Sequence, residues 1–487
     1  MLGRQRGFRD DGDMTIWLSP EISPTLQIKG VVPRPCGIAA RSRDHGEETA
    51  LKIGYIGLGA LGRELARRFL PARDLCVWDL NPAACEYLSS QGAAVASSAG
   101  ELGRQCDVVL VCLPRSADVH RLVFGPDGLA AGLSKGKLVI DQTSGVPGET
   151  RQIAEALALQ GVEMMDAAVS ASPHVVAEGG ATLMASGPDA VYEKALPILR
   201  VISETIVRCG QRVGDGQAMK TVNNAMNACA RLGTLEMAAL GARAGLSLAA
   251  MSDYLNRGKA RNQTTDKMLP ALVQGKSSTN FALALMVKDV AQAVSLGAQT
   301  GVPMPITSAT LGLLQAGANS LGPNAKLEDM VGVIASLAGT QLAPAPTGDA
   351  PGSANVDAQQ TLSLLEHGVS ALCHLVTYEC TAVGLRYGLG LADMATVINR
   401  SSGWSEASRT ILPALVSGQA TEDISLRSVI DGLRSTCALA VAAGAPVMLL
   451  QVVRSLVEQG GNQLPDTADV SQMRSVYESM AGVRYGH

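Results

Sequence analysis

Short apolar runs alternate with amphipathic segments between residues 51 and 214. Residues such as Leu65, Phe69 and Leu70 recur at helical spacing after the first run, and similar segments separate the later ones. Alternation of buried strands with helices is typical of a parallel, doubly wound α/β sheet, so we predict that fold here. The predicted strands are 53–56, 75–79, 107–114, 137–141 and 162–166.

The first apolar run ends in a glycine-rich turn. Gly57, Gly59 and Gly62 have G-x-G-x-x-G spacing, with Leu58 and Leu61 among the intervening residues. A strand, this turn and a helix in that order are typical of dinucleotide binding, with the pyrophosphate at the helix N-terminus. The motif alone is weak evidence, and a plain glycine turn is the alternative.

The second predicted strand ends in Asp79. An acidic residue about 20 positions beyond the glycine turn can accept hydrogen bonds from the adenosine ribose. A carboxylate there repels a 2′-phosphate, and no arginine follows it directly, so NAD is favoured over NADP. The alternative is that Asp79 only caps the following helix.

A long helical pattern begins near residue 214 and carries Lys220 and Asn224. Residues four apart share one face of a helix. Beside a nicotinamide, a lysine can take the hydroxyl proton of an alcohol while an amide aligns the substrate oxygens. The lysine needs a lowered pKa for this role, which burial supplies. An ordinary exposed lysine is the alternative.

Residues 218–307 are repeated in residues 361–450 at a constant offset of 143, and the segment between the repeats is rich in proline and glycine. This register indicates a duplicated all-α domain joined by a linker. The duplicate lacks the polar residues of the first copy: Ser363 replaces Lys220, and His367 replaces Asn224. The copy therefore retains a packing pattern without the chemistry.

Composition narrows the function. The chain has 487 residues and a net charge of −4, which gives no basic surface for nucleic acid. No apolar run reaches membrane-spanning length, and the ten cysteines form no C-x-x-C pair, so we expect a cytoplasmic protein with reduced thiols and no metal site. Residues 1–50 have little periodicity and are expected to be a disordered extension. The alternative is that Met1 is an upstream start and Met14 the true one.

Several segments resemble the β-hydroxyacid dehydrogenases, a superfamily that includes 3-hydroxyisobutyrate, L-threonate and 6-phosphogluconate dehydrogenases. The resemblance lies in the glycine turn and in segments that match G-x-G-x-x-x-K-x-x-N-N and F-x-L-x-L-M-x-K-D. Two further segments are similar to D-x-S-T-x-x-P, with Thr143 and Ser144 in inverted order, and to D-A-P-V-S-G-G. These motifs cover residues 57–62, 141–147, 166–172, 214–224 and 281–289.

The resemblance implies a role for each matching residue. Lys220 would be the general base and Asn224 its catalytic partner. The cofactor-binding residues would be Gly57, Leu58, Gly59, Leu61, Gly62, Asp79, Leu113, Pro114, Ser144 and Lys288. The substrate would contact Ser170, Ala171, Ser172, Lys220 and Asn224. Ala171 and Ser172 stand where the family has two glycines, so either the substrate is unusual or its binding is weakened.

The resemblance also implies an architecture, a Rossmann domain followed by two homologous all-α domains. We expect a Rossmann domain at 51–214, a catalytic all-α domain at 215–340, a linker at 341–357 and a degenerate all-α domain at 358–487. In single-domain relatives the helical domains of two subunits pair. The second domain here would be an intrachain pseudo-partner, and a homodimer of the whole chain stays open.

The predicted function is NAD(P)-dependent oxidation of a small 3-hydroxy acid, similar to 3-hydroxyisobutyrate or threonate. Two alternatives remain. An imine reductase-like activity would use the same fold, although those relatives usually have Asp or Tyr in place of Lys220. A cofactor-binding pseudoenzyme or scaffold would have lost access for the substrate at Ala171 and Ser172.

Overall fold

The computed structural model describes residues 51–71, 74–342, 357–419 and 424–486. The predicted extension 1–50 and most of the predicted linker 341–357 lie outside these ranges. The strands are β1 (Ile53–Ile56), β2 (Leu75–Trp78), β3 (Ala94–Val95), β4 (Val108–Val111), β5 (Leu138–Asp141), β6 (Glu163–Ser170), β7 (Thr182–Ser186) and β8 (Thr205–Gly210).

The helices of the sheet region lie between and after these strands. They are α1 (Ala60–Arg67), α2 (Pro82–Ser89), α3 (Ala99–Gln105), α4 (Ser116–Phe124), α5 (Pro147–Ala158), α6 (Pro173–Ala177) and α7 (Asp189–Ile202). A short 3₁₀ turn covers Leu129–Ala131.

The rest of the described chain is helical. Its helices are α8 (Asp215–Arg243), α9 (Leu248–Leu255), α10 (Leu269–Val273), α11 (Leu283–Thr300), α12 (Pro305–Leu321), α13 (Met330–Leu337), α14 (Ala358–Tyr387), α15 (Leu391–Arg400), α16 (Glu406–Ser417), α17 (Leu426–Ala443), α18 (Met448–Gln463) and α19 (Met473–Ala481). A π-helical turn at Thr264–Met268 precedes α10, and 3₁₀ turns at Leu327–Asp329 and Val470–Gln472 precede α13 and α19.

The predicted parallel sheet is confirmed for the five predicted strands β1, β2, β4, β5 and β6, and β3, which was not predicted, extends it. The strand order is β3-β2-β1-β4-β5-β6-β7-β8, and each neighbouring pair from β3 to β6 is parallel. Strands β1, β4 and β5 are buried along their whole length, because helices cover both faces of the sheet. Strands β2 and β3 follow on one side of β1, and β4, β5 and β6 on the other. The strand order therefore switches between β1 and β4, and doubly wound sheets bind ligands at this switch point.

Strands β7 and β8 were not predicted, and β7 runs antiparallel to β6. Only residues 171–181 connect these two strands, and they contain the five-residue helix α6. A parallel crossover needs a longer connection, so the chain turns back beside β6. Strand β8 then pairs in parallel with β7 and leads into α8.

Two long helices, α8 and α14, form the centre of the helical region. Residues 215–241 of α8 are buried throughout. Within the described ranges, α14 is the one helix whose length and apolar composition would allow a membrane crossing, and 83% of its most apolar window is buried inside the protein. The core helix of a folded domain has the same properties, so we interpret α14 as a core helix.

The helices after residue 214 form two series with the same spacing. Helices α14, α15, α17, α18 and α19 each begin 143 residues after α8, α9, α11, α12 and α13, respectively. The observed helix starts therefore follow the offset found in the sequence.

The two series also contact each other reciprocally. Glu236 on α8 accepts a hydrogen bond from the N–H of Leu449 (3.1 Å) at the start of α18. Glu379 on α14 accepts bonds from the N–H groups of Ile306 (3.2 Å) and Thr307 (2.8 Å) at the start of α12. Each central helix thus caps a helix of the other series, which is the contact pattern of a two-fold symmetric dimer.

Candidate active site

The glycine turn between β1 and α1 has the shape that a dinucleotide requires. Gly57 has φ +91°, and a Cβ there would collide with the carbonyl oxygen of Cys112 on the neighbouring strand. A Cβ at Gly62 would collide with the carbonyl oxygen of Gly57. A Cβ at Gly59 would meet no atom within 4 Å, so open space lies beside this part of the backbone.

The N-terminus of α1 fits a pyrophosphate. Helix α1 begins at Ala60, and its N-cap residue Gly59 has no side chain to accept the first N–H groups. An anion can accept these bonds and is also favoured by the helix dipole. Leu58 is buried and Leu61 is partly buried against the sheet core, so the first holds the turn in place and the second packs α1.

Asp79 lies directly beside this turn. One carboxylate oxygen accepts a bond from the N–H of Leu58 (2.6 Å), and the other accepts one from Asn81 (2.8 Å). The helix after β2 is capped by Asn81 and not by Asp79, so the capping alternative is wrong. Each carboxylate oxygen retains a lone pair that can accept a ribose hydroxyl.

Leu113, Pro114 and Ser144 follow β4 and β5, on the same edge of the sheet as the glycine turn. The N–H of Leu113 donates to the hydroxyl of Thr143 (3.0 Å), which joins the two strand ends. The ammonium group of Lys288 donates to the carbonyl oxygens of Ser144 (2.7 Å) and Pro114 (3.3 Å). Lys288 therefore ties the helical region to the strand ends where the nicotinamide was expected.

Lys220 projects from the first turns of α8 and is buried, with 9% of its surface exposed. Its ammonium group donates to the carbonyl oxygen of Val169 at the end of β6 (2.7 Å). Burial lowers the pKa of Lys220, the carboxylate of Asp289 opposes this, and the positive charge of Lys288 adds to it. A lysine with a lowered pKa has a larger neutral fraction, which is the form that can accept a proton.

Asn224 lies one turn below Lys220 on the same face of α8, and 6% of its surface is exposed. Its amide nitrogen donates to Asp289 (2.7 Å), whose other carboxylate oxygen pairs with Lys288 (3.1 Å). The Lys288–Asp289 pair is thus a salt bridge that also holds Asn224. Asp289 therefore joins Asn224 to Lys288, and its charge also acts on Lys220.

The predicted substrate segment is divided between two environments. Ser170 ends β6 directly after Val169, the residue that Lys220 contacts. Ser172 is the N-cap residue of α6, and its hydroxyl contacts the ring of His174 (3.2 Å). Ala171 and Ser172 are both partly exposed, so their side chains border the open side of this segment.

Two buried aspartates that the sequence placed in motifs, without assigning them a role, hold the start of α8. Asp166 accepts bonds from the N–H groups of Gly214 (2.6 Å) and Gln217 (2.9 Å). Gln217 in turn donates to Asp141 (3.1 Å). Burial raises the pKa of Asp166 to about 7 and that of Asp141 to about 6. Each of them ends a strand predicted from the sequence, 137–141 or 162–166, and this was the signal that could have identified them as anchors of the helix that carries Lys220.

Asn223 and Asn227 were also missed as parts of the site. Both are buried on α8, and both bond to Ser402, which lies between α15 and α16. Nothing in the local sequence joins residues so far apart along the chain. Among the described residues, no group of three or more His, Cys, Asp or Glu side chains is arranged to hold a metal ion.

Two family models match most of the described chain. The model described as the NAD binding domain of 6-phosphogluconate dehydrogenase matches residues 52–210. The model described as NAD-binding of NADP-dependent 3-hydroxyisobutyrate dehydrogenase matches twice, at residues 214–334 and 358–477. The first covers the sheet region, and the second covers both helical series.

Curated relatives match somewhat more than half of the chain. The chain is 30% identical to 2-(hydroxymethyl)glutarate dehydrogenase of Eubacterium barkeri over 290 residues, which is 59% of this chain and 95% of that protein. It is 31% identical to L-threonate dehydrogenase of Cupriavidus necator over 258 residues, 53% of this chain and 87% of the relative.

Two solved structures cover different shares of the chain. The 3-hydroxyisobutyrate dehydrogenase structure from Salmonella typhimurium is 26% identical with a TM-score of 0.52, and it covers 58% of this chain and 99% of that one. Plasmodium falciparum 6-phosphogluconate dehydrogenase is only 13% identical, but has a TM-score of 0.63 and covers 85% of this chain and 93% of its own. The second likeness concerns the fold alone, and it extends over the second helical series.

The glycine turn, the strand-end residues and the Lys220–Asn224 pair lie at or next to the carboxyl ends of the parallel strands, and the matches span the same elements. These findings support binding of NAD or NADP and a small hydroxy-acid substrate. The chain belongs to the β-hydroxyacid dehydrogenase superfamily of NAD(P)-dependent oxidoreductases.

Proposed function

We propose that this protein oxidises a small 3-hydroxy acid, of the 3-hydroxyisobutyrate or threonate kind, with NAD as the preferred acceptor. The observation that carries the proposal is the buried Lys220, whose amine lies against the end of β6 and whose pKa is lowered by burial. The names of the similar dehydrogenases agree with this substrate class.

The bound nicotinamide would accept the hydride that leaves the carbinol carbon. Gly57, Gly59 and Gly62 would admit the pyrophosphate, and Asp79 the ribose. Lys220 in its neutral form takes the hydroxyl proton, so the oxygen becomes a carbonyl. Asn224, held by Asp289, has one amide hydrogen left to donate to a substrate oxygen.

The burial of this site also matters for the reaction. Lys220 and Asn224 are each at most 9% exposed, so few waters compete for their hydrogen bonds. Electrostatic interactions in such a site are stronger than in water. We infer that Lys288, by joining α11 to the strand ends, keeps the helical region closed over the cofactor side of the cleft.

We further propose the domain division predicted from the sequence, with residues 358–487 as an intramolecular partner of residues 215–340. The double match of one family model supports this division. So do the reciprocal caps, and a second reciprocal pair, in which Arg243 donates to the carbonyl of Ala443 (3.0 Å) and Arg386 to that of Thr300 (3.2 Å).

The direct test is to measure the turnover of 3-hydroxyisobutyrate, L-threonate and 2-(hydroxymethyl)glutarate with NAD or NADP. The absorbance of the reduced cofactor reports the rate. Lys220→Ala should reduce kcat about 10²- to 10⁴-fold, the usual contribution of a general base, and leave NAD affinity within about twofold. Lys276→Ala is the matched control, because Lys276 is an exposed lysine of the same helical region.

The outcomes separate the alternatives. Full turnover by Lys220→Ala would overturn the assignment of the base. Binding of NAD by calorimetry without turnover of any acid would favour a pseudoenzyme, and reduction of a cyclic imine by NADPH would favour the imine reductase activity.

A further inference from the structure

A loop of the second helical region lies against the catalytic helix. This loop, Ser401–Trp404, connects α15 to α16 and is called the Trp404 loop below. The N–H of Gly403 donates to the side-chain oxygen of Asn223 (2.9 Å), and the amide nitrogen of Asn223 donates to the hydroxyl of Ser402 (3.1 Å). Asn227 donates to the carbonyl oxygen of Ser402 (2.6 Å).

These bonds determine which way the catalytic amide faces. The N–H of Gly403 can only donate, so the Asn223 atom facing it must be the oxygen. The two hydrogens of the Asn223 amide then point to Ser402 and to the side-chain oxygen of Asn224 (3.3 Å). Asn224 must therefore turn its own nitrogen toward Asp289, as observed.

The approach of the loop is as close as the residue type allows. A Cβ on Gly403 would lie 2.7 Å from both the backbone oxygen and the side-chain oxygen of Asn223, closer than packed atoms approach. Asn223 is fully buried. The loop is fixed on its other side by Trp404, whose ring nitrogen donates to Gln263 (2.7 Å) and whose face carries the guanidinium group of Arg409 at 4.0 Å.

A related contact exists at the equivalent place in the other series, where Ser363 and His367 stand in place of Lys220 and Asn224. Asn223 corresponds to Glu366 and Ser402 to Lys259, at the offset of 143. The side chain of Glu366 accepts a bond from the N–H of Lys259 (2.8 Å). The Trp404 loop therefore contacts the part of α8 that carries Lys220 and Asn224. The loop around Lys259 contacts the part of α14 where Ser363 and His367 replace these two residues.

We propose that Ser402 and Gly403, which belong to the helical repeat without chemistry of its own, are positioning residues that orient the Asn224 amide for the substrate. The second repeat thereby completes the active site within one chain. This inference rests on the proposed function, in which Asn224 binds a substrate oxygen.

The test compares Gly403→Ala and Ser402→Ala with Glu366→Ala, which removes the equivalent contact away from the cofactor. For each variant, kcat and KM for the best hydroxy acid, the Kd for NAD by calorimetry, and the melting temperature are measured. Gly403→Ala should lower kcat/KM for the acid about 10- to 100-fold, as expected for a misplaced substrate-binding group, with the Kd for NAD within about twofold. Ser402→Ala, which keeps the Gly403 bond, should show a smaller loss of the same kind.

Glu366→Ala should keep both kinetic constants, even though its melting temperature falls. A purely structural role for the Trp404 loop would lower all melting temperatures and leave kcat/KM equal in the three variants, which would overturn the inference alone. If Gly403→Ala does not fold, the comparison of kcat/KM between Ser402→Ala and Glu366→Ala tests the inference in the same way. Absence of turnover in the unmodified protein would overturn the proposed function, and the inference with it.

Discussion

At the scale of residues, Lys220 shows how position alters an ordinary side chain. Its amine is buried, contacts a backbone carbonyl of β6, and lies near the charges of Asp289 and Lys288. Burial favours the neutral amine, and the nearby carboxylate limits the effect. The balance leaves a lysine that can exchange a proton nearer to neutral pH than an exposed one.

This balance predicts the pH dependence of the reaction. The base must be unprotonated, so kcat/KM should rise with pH through the pKa of Lys220 and then level off. Because burial lowers that pKa, the rise should be centred below the usual lysine value of about 10.4. Steady-state measurement of kcat/KM across the pH range tests this prediction. A rise centred at or above the usual pKa of lysine would contradict it.

Asp79 carries the prediction for cofactor choice. Its charge beside the glycine turn should make NAD bind at least about tenfold more tightly than NADP, in line with the strength of hydrogen bonds to charged groups. Asp79→Asn keeps an acceptor for the N–H of Leu58 but removes the charge, so the preference should shrink. Calorimetry with both cofactors measures it.

Asp74→Asn is a suitable control for Asp79→Asn, because Asp74 is an exposed carboxylate just before the start of the same strand. An unchanged preference in Asp79→Asn, or tighter binding of NADP by the unmodified protein, would contradict the role given to Asp79.

At the scale of elements, two buried carboxyl groups join the helical series. Glu236 caps α18 and Glu379 caps α12, and burial raises the pKa of each to about 7. The backbone N–H bonds oppose this rise without cancelling it. A folded-state pKa above the unfolded value of about 4.5 means that the folded protein binds protons more strongly between these values.

The contribution of these two groups to the free energy of unfolding should therefore be highest below about pH 4.5. It should fall as the pH rises through 7. A difference of this size corresponds to about 3 kcal/mol for each carboxyl group. The Glu236→Gln, Glu379→Gln double variant keeps oxygen acceptors for both helices and should show a weaker pH dependence.

Urea unfolding of the two proteins at pH 6 and about pH 8 measures the difference. Asp141 and Asp166 are buried in both proteins, so their contributions cancel in the comparison. Parallel curves for the two proteins would show that the capping carboxylates do not titrate in this range.

The features that could be predicted from the sequence are those whose residues lie close together along the chain. The glycine turn, the strand before it and the Lys220–Asn224 pair each lie within one turn or one helix, so spacing alone identifies them. Strand β3 was missed because it has only two residues, and β7 and β8 were missed because the chain returns beside β6 without a full crossover helix, which ends the regular alternation of strands and helices. The contact of Asn223 with Ser402 depends on how α8 and α14 pack, which no local pattern contains.

At the scale of the whole molecule, α14 covers the face of α8 that would otherwise be exposed. Removal of residues 343–487 should therefore make the shortened chain associate through α8, because two identical helical regions can form the same reciprocal caps. Light scattering coupled to size-exclusion chromatography would show twice the mass of the shortened chain, with the full chain as reference. A folded monomer would contradict this expectation.

The Trp404 loop has an evolutionary consequence. In a symmetric pair made of identical chains, any mutation in such a loop appears at both ends of the pair, and each end must tolerate it. Here Ala260 and Gly403 occupy equivalent places but are encoded separately, so only the second is constrained by the catalytic helix. Under the domain division proposed above, a substitution at Ala260 therefore leaves the catalytic helix untouched, whereas one at Gly403 does not.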